Sequence, residues 1–205
     1  MNEMYQIRAV YDDKTIRIYQ AYNDKIADEA IKNGTFGKNF NRERMTWIKP
    51  SFLWMMYRSG WAKKENQERI LAIDIKREAF DFIVEYAVPS TFDASGYVSI
   101  DDWKKQVKDS SVRIQWDPER DQYGSPLEYR SIQLGIRGDI VNKYVDEWIV
   151  KMTDITEYVT ELKLLLDNKN DISDLLPKER TYSYFRNFGE ISDTNFASKS
   201  GNLIL

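Results

Sequence analysis

WIKPSFLWMMYRSGW, residues 47–61, is the stretch on which the reading of this chain turns. Ten of its fifteen residues are apolar or aromatic, counting Pro50, and three of them are tryptophans, Trp47, Trp54 and Trp61. The only charges are Lys49 and Arg58. A cation in so apolar a setting is costly unless it is paired or meets a ligand. Pro50 suits a first helical turn, so a short helix is predicted over Ser51–Ser59, with Gly60 ending it. At ~100° per residue, Ser51, Trp54, Met55 and Arg58 share one side. Arg58 can then lie across the Trp54 ring. Two readings fit. In one, this is a core helix whose Arg58 packs on tryptophan and is tied to an internal carboxylate. In the other, Lys49, Ser51 and Arg58 edge a pocket with an aromatic floor. The helix N-terminus then adds partial positive charge for a phosphate or carboxylate.

Outward from this stretch, short strands and short helices follow in no regular order. Met4–Val10 and Thr15–Tyr19 alternate as strands, with Asp12-Asp13 turning between them. Asn23 is a predicted cap for a helix over Asp24–Lys32, closed by Asn33-Gly34, and Phe36–Arg44 reads as a loop. Arg69–Ile75 reads as a buried strand and Lys76–Ala87 as a helix. A turn at Asp93–Gly96 leads to a helix over Ile100–Lys108 capped by Ser99. Val112–Trp116 is a predicted strand broken by Asp117-Pro118, and Gln122–Pro126 joins it to Tyr129–Gly135 as a hairpin. Gly138–Trp148 looks helical, Val150–Thr153 is a last strand, and Ile155–Leu166 a last helix. Without regular βαβ alternation the class is α+β: one compact domain over 1–177, with a mixed or antiparallel sheet and several short helices. Residues 178–205 are expected to form a C-terminal tail, mobile or pinned by Tyr182, Tyr184 and Phe185.

Composition removes whole classes of chemistry. The 205 residues contain neither cysteine nor histidine. Disulfides, thiolate metal sites, Ser-His-Asp and Cys-His catalysis and imidazole-bound zinc are therefore impossible. Catalysis would fall to carboxylates, tyrosine, lysine or arginine. No metal ligand set is assigned; any metal would be a hard ion such as Mg²⁺ on oxygen ligands. No apolar run has the roughly 18 residues of a membrane span, and MNEMYQIRAVYDD lacks the layout of a signal peptide. The expected location is the cytoplasm, with no membrane partner. GxxxxGK[ST], GxGxxG and GxSxG are all absent, which disfavours P-loop, Rossmann and α/β-hydrolase chemistry.

Net charge is only −3, yet it is unevenly placed. Lys38–Arg69 carries eight basic and three acidic residues with six aromatics, whereas Asp139–Glu179 carries five basic and ten acidic. Two solvated faces of opposite sign would explain this. So would a local anion site in the first half. Two strands add candidates. In QIRAVYDDKTIRIYQAY, Arg17 and Tyr19 share a face opposite Ile16 and Ile18, and Arg8 sits in the preceding strand. In VRIQWDPERD, Arg113, Gln115 and Asp117 share a face, which Arg130 and Gln133 of YRSIQLG can join. Each is either a solvated strand face or the lining of a cleft. Asp117, Glu119 and Asp121 can meet a cation, or Asp117 can simply bond its own backbone beside Pro118.

The strings IRAVYDDKTIRIYQAYN, RMTWIKPSFLWMMYRSGWA, VRIQWDPERD and YRSIQLGI, followed by YVDEWIVKMTD, together resemble a bacterial family of domains of unknown function, the 4291 family. The resemblance spans roughly residues 4–160 in order, implies one compact domain, and brings no established activity.

Two functional expectations follow. The first is a pocket for an anionic, nucleotide-like or RNA-end ligand. Guanidinium forks grip phosphate and rings stack on bases. Its cations would be Arg8, Arg17, Arg44, Lys49, Arg58, Arg113 and Arg130. Its rings would be Tyr19, Trp47 and Trp54, with Ser51, Gln115 and Gln133 as polar contacts. If the protein is an enzyme, Asp117, Glu119 or Glu128 would be the acid/base or charge-stabilising group of a transferase. An ADP-ribosyltransferase-like scheme needs little beyond an arginine, a hydroxyl residue and a glutamate around a split sheet. It suits a chain without histidine or cysteine, although no diagnostic motif for it is visible. The rival is a non-catalytic protein-interaction domain with structural buried arginines. Cofactor and oligomeric state are not assigned.

Overall fold

Two antiparallel ladders set side by side carry the architecture, and the line where they meet positions the site. The computed structural model describes residues 4–92 and 99–183. After the short strand β1 (Arg8–Ala9), β2 (Thr15–Tyr22) enters the first sheet with β4 (Arg69–Lys76) and β8 (Ile149–Asp154), in the order β2-β4-β8. The second sheet has the order β3-β7-β6-β5, from Thr46–Ile48, Pro126–Ile136, Val112–Arg120 and Val88–Pro89. Only β5 runs parallel to its neighbour in that sheet. Six α-helices among the described residues complete an α+β domain.

The first sheet is covered on both faces, which is why RILAIDIK is nearly continuous in burial rather than alternating. Ile16 and Ile18 of β2 face the main core with Ala27 and Ala30 of α1 (Asp24–Asn33). Phe80, Ile83 and Val84 of α3 (Arg77–Glu85) join them. Tyr19 faces the other way, into a second core with Phe52, Met55 and Met56 of α2 (Phe52–Ser59) and Val159 and Leu162 of α6 (Thr156–Asp167). Full burial of each such large apolar side chain stabilises the fold by about 1.5–3 kcal/mol. The second sheet buries Ile48, Val112, Ile114, Ile132, Leu134 and Ile136 in the main core. Its opposite face carries Gln115, Asp117, Ser131 and Gln133.

At the meeting line, pairing dwindles to single contacts. The Tyr19 N–H donates to the Lys49 carbonyl at 2.7 Å. The Gln20 amide donates to the Trp47 carbonyl and to the Thr46 hydroxyl, each at 3.0 Å. The N-terminal segment crosses the same line. It pairs with β7 through Gln6 N–H and the Arg130 carbonyl at 3.1 Å, then with β2 through Arg17 N–H and the Val10 carbonyl at 2.9 Å. The arrangement is a split sheet with α2 leaving from the split.

Three expectations are corrected. The strand β6 does not end at Asp117-Pro118: it continues to Arg120, with a register shift between Pro118 and Arg120. Proline cannot donate to the ladder, and the bulge absorbs that loss. The helix expected over Gly138–Trp148 is α5 (Asp139–Lys143) running into a π-helical turn, Tyr144–Trp148. The domain does not stop at residue 177. Strand β9 (Arg180–Thr181) pairs with β1, and Tyr182 is buried, its hydroxyl donating to Asp81 and accepting from Arg77. Tyr184 and Phe185, and the turn expected at Asp93–Gly96, lie outside the described residues. No helix among the described residues is long and apolar enough to cross a membrane.

Candidate functional site

Helix α2 is specified locally at both ends. The Ser51 hydroxyl caps it by accepting the Trp54 N–H at 3.2 Å, and Gly60 closes it in the left-handed region at φ 60°. Packing of Phe52, Met55 and Met56 on the first sheet then fixes where the helix begins. The Phe52 N–H, one of the donors a helix start leaves free, points into the seam and donates to a Glu179 carboxylate oxygen at 2.7 Å. Glu179 arrives from the segment leading into β9. Its backbone carbonyl accepts from the Arg8 guanidinium at 3.1 Å.

Beside it lies Glu119, only 4% exposed, at the bulge of β6. Its carboxylate accepts the Arg120 N–H at 2.8 Å and interacts with the hydroxyls of Ser51 and Ser131, with Arg8 in electrostatic range. Burial still outweighs these contacts and raises its pKa. Glu179 is pushed up to about 8, chiefly by burial, against the help of the Phe52 N–H, and further by the charge of Glu119. Two carboxyls in one dry site do not both ionise readily, so the pair holds a proton near neutral pH. Burial also raises Tyr129 and Tyr19, and the Tyr19 hydroxyl is buried without a hydrogen-bond partner.

A cationic counterpart sits on the other flank of α2. Lys49 is 6% exposed, and its ammonium lies 4.4 Å from the centre of the Trp54 ring. Burial lowers its pKa to about 7, opposed by Asp117 and aided by Arg58. Asp117 accepts from Gln115 at 2.8 Å and from Gln133 at 2.5 Å. Each oxygen accepts one of these amides, so Asp117 ties the β6–β7 face together. Asp121 caps the hairpin through the N–H groups of Tyr123 and Ser125. Asp117, Glu119 and Asp121 thus have separate tasks, and no group of three or more metal-ligating side chains gathers among the described residues.

The remaining candidates scatter. Arg17 donates from Nε and one Nη to the two oxygens of Asp74, at 2.8 and 3.0 Å. Arg113 donates to the Val107 carbonyl of α4 (Ile100–Asp109), and Arg130 to the Trp116 carbonyl. Arg58 is exposed on α2, and Glu128 is exposed near the start of β7. Arg44 lines a separate groove of about 450 Å³ with Tyr22, Asn39 and Asn66. Trp47 packs over Gly135, where a Cβ would come within 3.0 Å of the indole. Arg17, Arg58 and Arg113 therefore do not converge, and for these three the dispersal favours a structural role over a shared ligand pocket. Arg8, Tyr19, Ser51 and Glu119 do, and Lys49 and Trp54 adjoin them. Glu179 was not among the expected residues. It stands in an aperiodic polar run after Pro177, and nothing local distinguishes it from a solvated charge.

A split-sheet α+β domain with an acidic pair at its seam is the class these features define. Residues 6–182 match the family described as Domain of unknown function (DUF4291), and the chain belongs to that family. The match ends at Tyr182, which is the last buried residue of the described chain. No match is found among curated proteins.

Proposed function

We propose that the protein binds an anionic, nucleotide-like ligand at the seam and transfers a glycosyl group from it, in an ADP-ribosyltransferase-like scheme. One observation carries this reading: Glu119 is buried beside the Ser51 hydroxyl and in the field of Arg8, where the sheet splits. Those are an arginine, a hydroxyl residue and a glutamate in a chain with no histidine or cysteine. In the proposed step the bond between ribose C1′ and the nicotinamide nitrogen of NAD breaks, and its electron pair leaves with neutral nicotinamide. An acceptor hydroxyl or amine bonds to C1′, and its proton passes to the Glu119 carboxylate. That carboxylate also stabilises the positive charge developing on the sugar. Ser51 orients Glu119, and Arg8 meets a phosphate of the donor.

The test is incubation with NAD labelled on its phosphate, with and without RNA or protein acceptors. Release of nicotinamide with transfer of label supports the reading; neither product, from protein shown to be folded, would overturn it. The Arg17–Asp74 pair favours the second reading, an interaction domain with structural arginines, for that part of the molecule.

A further inference from the structure

The site just proposed is closed, and the residue that closes it is an acid. Residues 177–182 run as a strap beside the seam, and the half-buried Glu179 reaches into it with its carboxylate on the Phe52 N–H. The groups around its carboxylate are those that would receive an anion from outside. The Phe52 N–H is a helix-start donor, the Arg8 guanidinium lies alongside, and the Ser51 hydroxyl is next to them on Glu119. Independently, the Tyr19 hydroxyl is fully buried without a partner and lies within the field of Glu179. A buried hydroxyl that bonds nothing in the closed form is a donor waiting for an acceptor.

Resting on the transferase reading, we propose that Glu179 is an internal stand-in for the ligand's phosphate, carried on a strap that lifts when the ligand binds. The strap is fitted for this. Its far end is fixed firmly: Tyr182 is held by Asp81 and Arg77, and Arg180 stacks 4.1 Å over the Tyr11 ring while donating to the Tyr11 carbonyl. Its near end is held more lightly: Lys178 makes an exposed 3.8 Å contact to Asp174, the Glu179 N–H bonds the Pro177 carbonyl within the strap itself, and Leu176 packs at the edge of the second core. Between them, β9 has two residues and both are exposed. Arg180 and Thr181 stay paired with β1, so the strap can hinge beside Arg180 and withdraw Glu179 together with Lys178.

Charge sets how easily it withdraws. The groups facing Glu179 are Glu119 on β6, Arg8 on β1, Tyr19 on β2, Tyr129 on β7 and the N–H at the start of α2. Tyr158 on α6 bears on Tyr19. With its proton, Glu179 sits comfortably beside Glu119. Without it, two carboxylates repel in a dry site, which favours release. A phosphate entering between Arg8 and the helix start would compete with the strap for the same donors.

Hydrogen exchange of the full chain, with the strap amides of residues 178–180 compared against the core, tests the strap without any ligand. After correction for intrinsic rates, exchange in the strap should rise at least fivefold more than in β4 between pH 6 and pH 9. Glu179→Gln, which cannot ionise, should abolish that rise. Equal change in strap and core, or a rise that persists in Glu179→Gln, would overturn the proposal. Calorimetry with ADP-ribose, NAD and inorganic phosphate tests the stand-in. Glu179→Ala should bind ADP-ribose at least tenfold more tightly than the wild type, and ADP-ribose should deprotect the wild-type strap. Weaker or unchanged binding by a folded Glu179→Ala would overturn it and make Glu179 part of the working site. If neither protein binds any probe while the strap still opens with pH, the nucleotide reading fails and the strap stands.

Discussion

The two sheets handle charge in opposite ways. On the first, charges are paired: Arg17 grips Asp74 by two hydrogen bonds, and Arg69 reaches Asp154, Asp24 and Asp28 together. At the seam with the second, ionisable groups are packed without an oppositely charged side chain bonded to them. Glu119 lies beside Glu179, and Lys49 rests on an indole ring without a carboxylate bonded to it. A paired ion holds two strands in register. An unpaired buried ion destabilises the fold and is retained for another reason, which is why perturbed groups in a cleft mark functional sites. The contrast separates arginines that look alike in the sequence into those that build the molecule and those free to meet a ligand.

The largest expected effect breaks that contrast on its catalytic side. Glu119→Gln should lower nicotinamide release from NAD by about 100-fold or more while the melting temperature holds or rises. Parallel turnover and thermal-melt measurements check it. Next, on the structural side, Arg69→Ala should destabilise the fold by about 2–3 kcal/mol, since it leaves Asp154 without its guanidinium. Urea unfolding measures that loss, and activity per folded molecule should stay unchanged. Third, Lys49→Met should stabilise by about 1–2 kcal/mol at pH 6 and by less at pH 9. Lys49 has a folded pKa of about 7 against the usual 10.5, so the cost of burying its charge is full below pH 7 and fades as pH rises toward 10.5. Melts at the two pH values decide it. The smallest effect is Glu179→Gln at pH 4, within about 1 kcal/mol of the wild type, because the carboxyl is then largely protonated in the folded and unfolded states alike. Glu179 binds its proton more tightly folded than unfolded, so its contribution to stability declines as pH climbs from about 4.5 to about 8. The advantage of Glu179→Gln should therefore widen over that window.

Features fixed by neighbours in sequence were legible. Asn23 caps α1 and Ser51 caps α2, Gly34 and Gly60 end them, and the Asp121 hairpin falls where Gln122–Pro126 suggested. Features decided by distant contacts were not. Strand β3 is three residues long and exists because β7 lies beside it. Pro118 reads as a strand breaker, yet the ladder with β7 carries the chain past it. Of the site, Arg8, Tyr19, Ser51 and Glu119 were named from residue type and face. Their convergence was hidden, since it depends on a split between sheets that no local pattern encodes. Asp117 was read as a candidate acid and is instead held by Gln115 and Gln133, whose amides arrive from two strands. Glu179 was passed over because its burial depends on Phe52, 127 positions away.

In the proposed scheme Glu119 at the seam carries the chemistry, while the paired ions of the first sheet only support the fold. The most direct test measures nicotinamide release from NAD by the wild type, Glu119→Gln and Asp74→Asn side by side, each corrected for its folded fraction. Turnover is expected from the wild type and from Asp74→Asn, with its loss in Glu119→Gln. Turnover that survives in Glu119→Gln, or that is absent from all three folded proteins, would contradict the scheme.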